Sequence, residues 1–262
     1  MVGHITRDEV DGGVRLGGAA SYAALAAATL GVETALVTAA PPDDPSLEPL
    51  RRAPGLHLRC LPSDVITTFA LDYAGGTRRL WLRRRARPLA IDDVPPEWRR
   101  PRVAYVGPVA GECDGALIVA LGASFVGVGL QGWLRRVRDD GLVEPAPLGE
   151  ALPPLDVAIL SELDHPDAEA IARDRVGPGG TAAITRGARG ATLIRGDERV
   201  EIPAAPAREV DPTGAGDVFG VVLTLRLARG ETLAAAGAAA AAAAARVVEG
   251  PGLGTLAASL PR

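Results

Sequence analysis

Short apolar runs alternate along this chain with segments of helical periodicity, and this alternation restricts the fold more than any other feature. The runs are typical of buried strands, and several are followed by amphipathic segments. They are Ala35–Thr38, Val103–Val106, Phe125–Val128, Val157–Leu160 and Ala182–Thr185. Strands that alternate with helices favour a mostly parallel sheet with helices on both faces. The sequence therefore predicts a three-layer α/β/α fold.

Helices are predicted from periodicity and from the residues that end helices. They cover Ala19–Leu30, Asp167–Arg173, Ala215–Arg229 and Leu233–Val248. Gly31 and Gly230 follow two of them directly, where a glycine commonly ends a helix. These segments supply the outer layers of the predicted fold.

One region breaks the alternation of strands and helices. Thr67–Tyr73 and Thr77–Arg83 alternate in the manner of strands around the glycine-rich loop Ala74–Gly76. Such a loop is typical of a β-hairpin. Together with the strand-like segment Leu56–Leu61, the hairpin predicts a small β lid at residues 56–90.

The domain prediction follows from this lid. Residues 1–55 and 91–262 form the α/β core, and residues 56–90 form the lid inserted in it. An exposed strand edge tends to pair with another strand. The lid is therefore also a candidate homodimer contact, and the sequence leaves the oligomeric state open.

Composition excludes several classes of protein. The chain contains no lysine, so the P-loop, which needs one in G-x-x-x-x-G-K-[ST], is excluded. A formal net charge of −4 argues against a nucleic acid as the main partner and favours small molecules. Cys60 and Cys113 form no C-x-x-C pair, which fits a reducing cytoplasm. No segment is apolar over a bilayer-spanning length, and Met1–Val10 has no signal-peptide core, so no membrane association is expected.

The strongest local motif is Val210–Asp217, which leads directly into the helical pattern Val218–Arg229. Gly214 and Gly216 allow a ligand to approach the backbone closely, and the helix start presents unpaired N–H groups. Such a place binds phosphate. Asp217 lies in the first turn, where a carboxylate also simply stabilises a helix. Taken alone, the motif leaves both interpretations open.

Val210–Asp217 resembles the D-T-x-G-A-G-D signature of the ribokinase-like (PfkB) carbohydrate kinases, and the resemblance extends over nearly the whole chain. Four further segments are similar to family motifs. They are the end of the first strand at Val2–Asp8, the G-G motif at Gly17–Leu25, the T-x-G-x-x-G nucleotide turn at Thr185–Gly190 and the C-terminal end at Val248–Gly252.

The resemblance implies an ATP-dependent kinase and a role for each matched residue. Asp217 would be the general base, and the N–H groups of Gly214, Ala215 and Gly216 would stabilise charge on the transferred phosphoryl group. The implied acceptor-binding residues are Asp8, Gly17, Gly18 and Tyr22, and the implied nucleotide-binding residues are Thr185, Gly187, Gly190, Gly214 and Gly216. Phosphoryl transfer needs mostly positioning and charge stabilisation, so these parts would be sufficient.

The resemblance also implies metal ions. Asp164 would help to hold Mg²⁺, and Asp211 and Thr213 would lie in the loop where many family members hold a monovalent cation such as K⁺. This chain departs from the family pattern here, because Ser161–Asp164 stands where N-x-x-E is usual. Magnesium keeps several of its waters, so water-mediated binding survives such a change.

A second departure concerns the acceptor and the choice between functions. Tyr22 stands where the G-G motif usually has an asparagine. The leading hypothesis is phosphorylation of a hydroxyl of a sugar, a cyclic polyol or a nucleoside. Gly3-His4 with Asp8, and the variant Asp211-Pro212-Thr213, resemble inositol-type members, and His4 is a candidate substrate contact. The alternative is a catalytically inactive ligand-binding or regulatory protein on the same fold.

Two other patterns carry less weight. Gly127–Gly132 fits G-x-G-x-x-G after a strand, but it does not open a first βαβ unit, and no ribose-binding carboxylate follows. For Gln131 and Arg135 beside it two interpretations stay open: they face the cleft, or they are surface polar residues, which is the commoner case. The arginine cluster at residues 78–87 favours a solvated hairpin face or a lid rim over a nucleic-acid site, because the total charge is acidic.

Overall fold

The computed structural model describes residues 1–10, 13–72, 79–250 and 252. The first six strands are β1 (Thr6–Val10), β2 (Gly13–Gly17), β3 (Thr34–Ala40), β4 (Leu56–Pro62), β5 (Thr67–Asp72) and β6 (Arg79–Arg84). The other strands are β7 (Val103–Val106), β8 (Phe125–Gly129), β9 (Arg135–Val137), β10 (Val143–Pro145), β11 (Leu155–Ser161), β12 (Val176–Thr185), β13 (Ala191–Arg195) and β14 (Glu198–Ile202). The helices are α1 (Ala19–Thr29), α2 (Glu48–Arg51), α3 (Gly115–Leu121), α4 (Ala168–Arg175), α5 (Ala215–Leu227) and α6 (Leu233–Val247).

The main sheet has the strand order β14-β13-β12-β11-β8-β7. Strands β7, β8, β11 and β12 run parallel, while β13 and β14 add an antiparallel edge. Val2 forms parallel bridges to both Val106 and Val37, and so joins the β3–β4 pair to the other side of β7. Val2 thus occupies a position in the middle of the sheet, between β3 and β7.

Helices cover both faces of this sheet, each over its own apolar core. One core contains residues of α1, α5 and α6, and the other contains residues of α3 and α4. Continuous apolar strands such as Val157–Leu160 are buried because both faces are covered. The predicted three-layer α/β/α fold with a mostly parallel sheet is confirmed. Among the described helices, none is long and apolar enough to cross a membrane.

A second, smaller sheet has the order β2-β1-β5-β6. Strands β5 and β6 pair antiparallel, as the predicted hairpin requires, and the hairpin loop Ala74–Gly76 lies outside the described residues. The predicted lid, residues 56–90, needs two corrections. Strand β4 pairs with β3 in the main sheet, where Leu56 and Leu61 are buried, and the hairpin of β1 and β2 belongs to the second sheet.

His4 and Glu112 fasten the start of β1 to the rest of the fold. The His4 ring is buried between the Thr67 hydroxyl and the Arg87 carbonyl oxygen, each 2.8 Å from a ring nitrogen. The buried Glu112 carboxylate accepts the backbone N–H groups of His4, Val109 and Ala110 at 2.8 to 3.0 Å. His4 is therefore a structural residue, which corrects its interpretation as a candidate substrate contact.

Candidate active site

Asp217 lies in the first turn of α5, directly after the glycine loop. Its side chain is partly buried, and the charges of Asp8, Asp164 and Arg135 act on it. Burial raises the pKa of Asp217, Arg135 lowers it, and Asp164 and Asp8 raise it, so that the pKa lies at about 7. A carboxylate with this pKa can accept a proton near neutral pH.

The glycine loop at the start of α5 packs against Tyr22 at Gly214 and leaves room for a ligand at Gly216. Gly214 caps the helix in the left-handed conformation, with φ 81°, and a Cβ at this position would overlap the ring of Tyr22. A Cβ on Gly216 would meet no described atom within 4 Å. The first helical hydrogen bond runs from Val218 N–H to the Gly214 carbonyl oxygen, at 2.9 Å. The preceding N–H groups stand outside the helical ladder, although that of Ala215 makes a long turn bond of 3.3 Å to Pro212.

Asp8, Gly17 and Gly18 meet at the base of the β1–β2 hairpin. The hydroxyl of Thr6 donates to Asp8 Oδ1 at 2.8 Å. A Cβ on Gly17 would overlap the Asp8 carboxylate, so the glycine makes room for this side chain. Gly18, with φ 97°, caps α1. The fold thus brings the predicted acceptor residues together, within electrostatic reach of Asp217.

Tyr22 lies behind the glycine loop. Its side chain is only 1% exposed, and its ring packs against Gly214. Burial raises the pKa of the Tyr22 hydroxyl, and the charges of Asp211, Asp8 and Asp217 raise it further. The ring therefore supports the glycine loop and has its hydroxyl near the carboxylates of the site.

Asp164 follows the carboxyl end of β11 and contacts the end of β8. The Gln131 side-chain amide donates to Asp164 Oδ1 at 2.6 Å, and the Ser161 N–H donates to Oδ2 at 3.1 Å. No group of three or more His, Cys, Asp or Glu side chains in the described ranges could enclose a metal ion. Asp164 and Gln131 fit Mg²⁺ that is held mainly by water and by donor phosphates.

The turn Thr185–Gly190 lies at the same edge of the main sheet, because Thr185 is in register with Ser161 at the end of β11. Ligands of open parallel sheets commonly bind at this edge. Gly187 and Gly190 have φ values of 56° and 84°, which a side chain rarely adopts. Arg186 and Arg189 both form ion pairs with Glu162. Arg186 also pairs with Glu201, so both guanidinium groups of the predicted donor turn are already paired with carboxylates.

Arg135 acts on the charge of Asp217, whereas the sequence favoured a surface position over a place in the cleft. Its guanidinium donates to the Val109 carbonyl oxygen at 2.7 Å and lies 5.5 Å from the centre of the Phe69 ring. Its positive charge lowers the pKa of Asp217. Gln131 was also underestimated. The available signal for both was their position just after the carboxyl end of β8, a strand of the main sheet.

Asp211 does not fit the monovalent-cation role that the sequence assigned to it. Its Oδ2 atom accepts Arg15 Nη1 at 2.7 Å, and its Oδ1 atom accepts the Thr213 N–H at 3.0 Å. Burial opposes ionisation of Asp211, but the bonds from Thr213 and the charge of Arg15 outweigh it, so the pKa lies below its usual value. A guanidinium already holds this carboxylate.

Residues 157–259 match the model of the pfkB family carbohydrate kinase. The ribokinase of Bacillus subtilis (strain 168) is 42% identical over 53 residues, which are 20% of this chain and 18% of that protein. The chain therefore aligns with less than a fifth of the length of this curated relative.

Solved structures agree over nearly the full length. A pyrophosphate-dependent kinase in the ribokinase family, in a sulfate complex, has a TM-score of 0.79 at 21% identity, covering 96% of this chain and 95% of that one. Ribokinase from Thermotoga maritima has a TM-score of 0.70 at 17% identity, covering 99% of this chain and 95% of that one. Aminoimidazole riboside kinase from Salmonella enterica has a TM-score of 0.70 at 22% identity, with the same coverage of 99% of this chain and 95% of that one. At these identities the likeness establishes the fold.

Proposed function

We propose, from the confirmed resemblance to the ribokinase-like (PfkB) carbohydrate kinases, that this chain is a phosphotransferase with an alcohol group as acceptor. The acceptor is a hydroxyl of a sugar, a cyclic polyol or a nucleoside, and the donor is ATP. One observation carries the proposal. Asp217, with a pKa of about 7, stands at a helix start directly after a glycine loop, within electrostatic reach of Asp8.

Each side chain has a part in this reaction. Asp8 binds hydroxyl groups of the acceptor beside Gly17 and Gly18, and the buried Tyr22 has its hydroxyl near the same carboxylates. Asp217 accepts the proton of the attacking hydroxyl. The N–H groups of the glycine loop, with the helix start behind them, stabilise the negative charge of the transferred phosphoryl group.

Arg135 and the turn Thr185–Gly190 complete the donor side. Arg135 offsets the negative charge that gathers around Asp217. The turn binds the nucleotide, with its glycines close to the phosphates. Asp164 and Gln131 would hold hydrated Mg²⁺, which when bound neutralises donor phosphate charge.

Replacing Asp164 by alanine should raise the magnesium concentration needed for activity much more than it weakens acceptor binding. The reason is that Asp164 supplies the carboxylate at the proposed metal position and does not contact the acceptor. Magnesium titrations of the rate at saturating acceptor measure this. Asp167→Ala, an exposed aspartate three residues further on, is the matched control. An unchanged magnesium requirement in Asp164→Ala would remove this residue from the site.

Pyrophosphate is a second candidate donor. Two structures with TM-scores of 0.79 are described as pyrophosphate-dependent kinases, one of them complexed with a pyrophosphate analog and myo-inositol. Arg186 and Arg189 carry guanidinium groups on the donor turn, and a diphosphate that binds them must compete with Glu162 and Glu201, which already pair with them. Phosphate transfer from each donor to a panel of acceptors tests the function and chooses the donor.

Ribose should be a poor acceptor in that panel, and a cyclic polyol a better one. Tyr22 is bulkier than the usual asparagine and offers one hydroxyl where an amide offers separate donor and acceptor groups. Initial rates at matched concentrations measure the difference. If ribose reacts as fast as the best polyol, Tyr22 only supports the glycine loop. If no pair of donor and acceptor reacts, the alternative of an inactive ligand-binding protein is favoured.

A further inference from the structure

An ion pair between the small sheet and the loop before α5 holds the glycine loop. Arg15 lies on β2 of the small sheet, and its Nη1 atom donates to Asp211 Oδ2 at 2.7 Å. Asp211 is 6% exposed and opens the loop that leads to Gly214 and α5. The two residues are 196 positions apart in the sequence. The carboxylate is thus fixed by a side chain from a different part of the fold.

The backbone of the loop is held from its other side as well. The N–H groups of Val210 and Asp211 both donate to the Val248 carbonyl oxygen, at 2.7 and 3.1 Å, just beyond the end of α6. Within the loop, Asp211 Oδ1 accepts the Thr213 N–H. The position of the N–H groups that follow therefore depends on where the Asp211 carboxylate is held.

We propose that Arg15 is a positioning residue that acts as the built-in cation of this loop, in place of a monovalent metal ion. The inference rests on the proposed kinase function. A metal ion bound to Asp211 Oδ2 would lie next to the Arg15 guanidinium, and the two positive charges would repel each other. The guanidinium supplies the same charge and, in addition, a directed hydrogen bond.

The same hairpin links the loop to acceptor binding. Arg15 is the direct cross-strand partner of Asp8 in the β1–β2 pair, so the two side chains share one face of the small sheet. Because both residues lie on the small sheet, the placement of this sheet that puts Asp8 next to the acceptor also puts Arg15 next to Asp211. The anion hole is therefore fully ordered when the acceptor-binding sheet is in place.

The test compares cation dependence in wild-type protein and Arg15→Ala, with choline chloride keeping the ionic strength constant. Wild-type turnover should be the same in potassium chloride and choline chloride. Arg15→Ala should lose at least about tenfold in turnover, because a misplacement of ~1 Å in reacting groups costs about a hundredfold. Potassium or guanidinium ions should restore much of the loss, while acceptor KM changes little. Arg15→Lys, which keeps a charge, should retain more activity and show little rescue.

Arg7→Ala is the matched control. Arg7 lies on β1 of the same sheet, and its guanidinium pairs with the buried Asp44 of the core at 2.6 Å. This variant removes an equivalent tie between sheet and core without touching the glycine loop, so it should show no cation rescue. A wild-type protein that requires potassium would overturn the proposal, and so would an Arg15→Ala loss that neither cation restores.

Thermal stability separates this inference from the proposed function. Potassium or guanidinium, at one fixed concentration in all three proteins, should raise the melting temperature of Arg15→Ala, relative to choline, more than that of wild-type protein or Arg7→Ala. If the wild-type chain transfers no phosphate, the kinase proposal fails while this readout still tests the cation substitution. Equal shifts in all three proteins would contradict the role of Arg15. If Arg15→Ala does not fold, Arg15→Lys and Arg15→Gln carry the same comparison.

Discussion

Replacing Asp217 by asparagine should lower turnover by at least about a hundredfold, the contribution expected of a general base. The substitution keeps the shape of the side chain and the glycine loop but removes the proton acceptor. Binding of the donor should change little or become tighter, because a negative charge near its phosphates is removed. Turnover and donor affinity should be measured on the same folded preparation. Near-normal turnover would contradict the proposed mechanism.

The pH dependence of the wild-type protein should report the same group. Since only the ionised form of Asp217 accepts a proton, kcat/KM should rise with pH through an apparent pKa of about 7. The profile is measured with the donor and acceptor that react best. A rate that has already reached its plateau at pH 5 would show that Asp217 ionises like an ordinary aspartate and that its burial has no catalytic consequence.

The change in the free energy of unfolding caused by Asp217→Asn has opposite signs for a buried base with a raised pKa and for a charge that stabilises the helix. The pKa of Asp217 rises from 3.8 to about 7 on folding, so the folded state binds more protons between these values. Wild-type stability therefore falls as pH rises from about 4 to 7, by at most ~4 kcal/mol at ~1.4 kcal/mol per pKa unit and less with solvent screening. At pH 8 asparagine should raise the free energy of unfolding. A helix-stabilising charge would instead make asparagine destabilising by up to about 1 kcal/mol.

Asp167→Asn is the matched control for these measurements. Asp167 is exposed and directly precedes α4, so it shares the helix-start position of Asp217 without its burial. It should change neither turnover nor the pH dependence of stability. If Asp217→Asn and Asp167→Asn change turnover and stability alike, Asp217 behaves as an ordinary aspartate at a helix start, and its proposed role as a base is contradicted.

Much of the α/β core could be predicted because its strands and helix ends are determined by short stretches of neighbouring residues. A run such as Val157–Leu160 is apolar throughout, and the structure buries it on both faces. Helix ends were set by glycines such as Gly31 and Gly230, whose φ values of 77° and 82° explain the choice of residue. The motif ending at Asp217 also signals its own helix start. Such features need no knowledge of distant partners.

The small sheet could not be delimited in this way. Leu56–Pro62 alternates buried and exposed positions, which identifies a strand but not the sheet in which it pairs. Strand β1 carries Arg7, Asp8 and Glu9, a polar run without strand periodicity. Its β structure comes from pairing with β2 and β5, which a local pattern does not encode.

The contacts within the site were hidden for a related reason. Gln131 and Asp164, 33 positions apart, meet because β8 and β11 are neighbours in the sheet. Arg15 and Asp211 lie 196 positions apart. The family motifs identified Asp211 and Asp164 as candidate site residues. No family motif identified their hydrogen-bond partners, Arg15 and Gln131. Long-range pairing therefore decides what these carboxylates do.

Replacing Gly214 by alanine should damage both folding and catalysis. Alanine in the left-handed conformation found at Gly214, with φ 81°, costs about 1–2 kcal/mol, and overlap with a packed ring adds about 1–3 kcal/mol. The new methyl group must push Tyr22 or the loop away. Because the loop N–H groups then move, turnover should fall by at least about tenfold even where the variant is folded. Chemical unfolding and initial rates measure the two effects.

Two further variants separate the causes. Tyr22→Leu should relieve the overlap in Gly214→Ala but not the backbone strain, giving a coupling free energy of about 0.5–3 kcal/mol in the double-variant cycle. Gly216→Ala meets no described atom within 4 Å and lies inside the helix, where alanine is favoured over glycine by up to about 1 kcal/mol. It should fold at least as stably as wild type and raise only the KM of the donor, because its methyl group points into the space where the phosphates approach. A stable Gly216→Ala with unchanged donor KM would show that the donor does not pass over this face of the loop, and the anion hole would have to lie elsewhere.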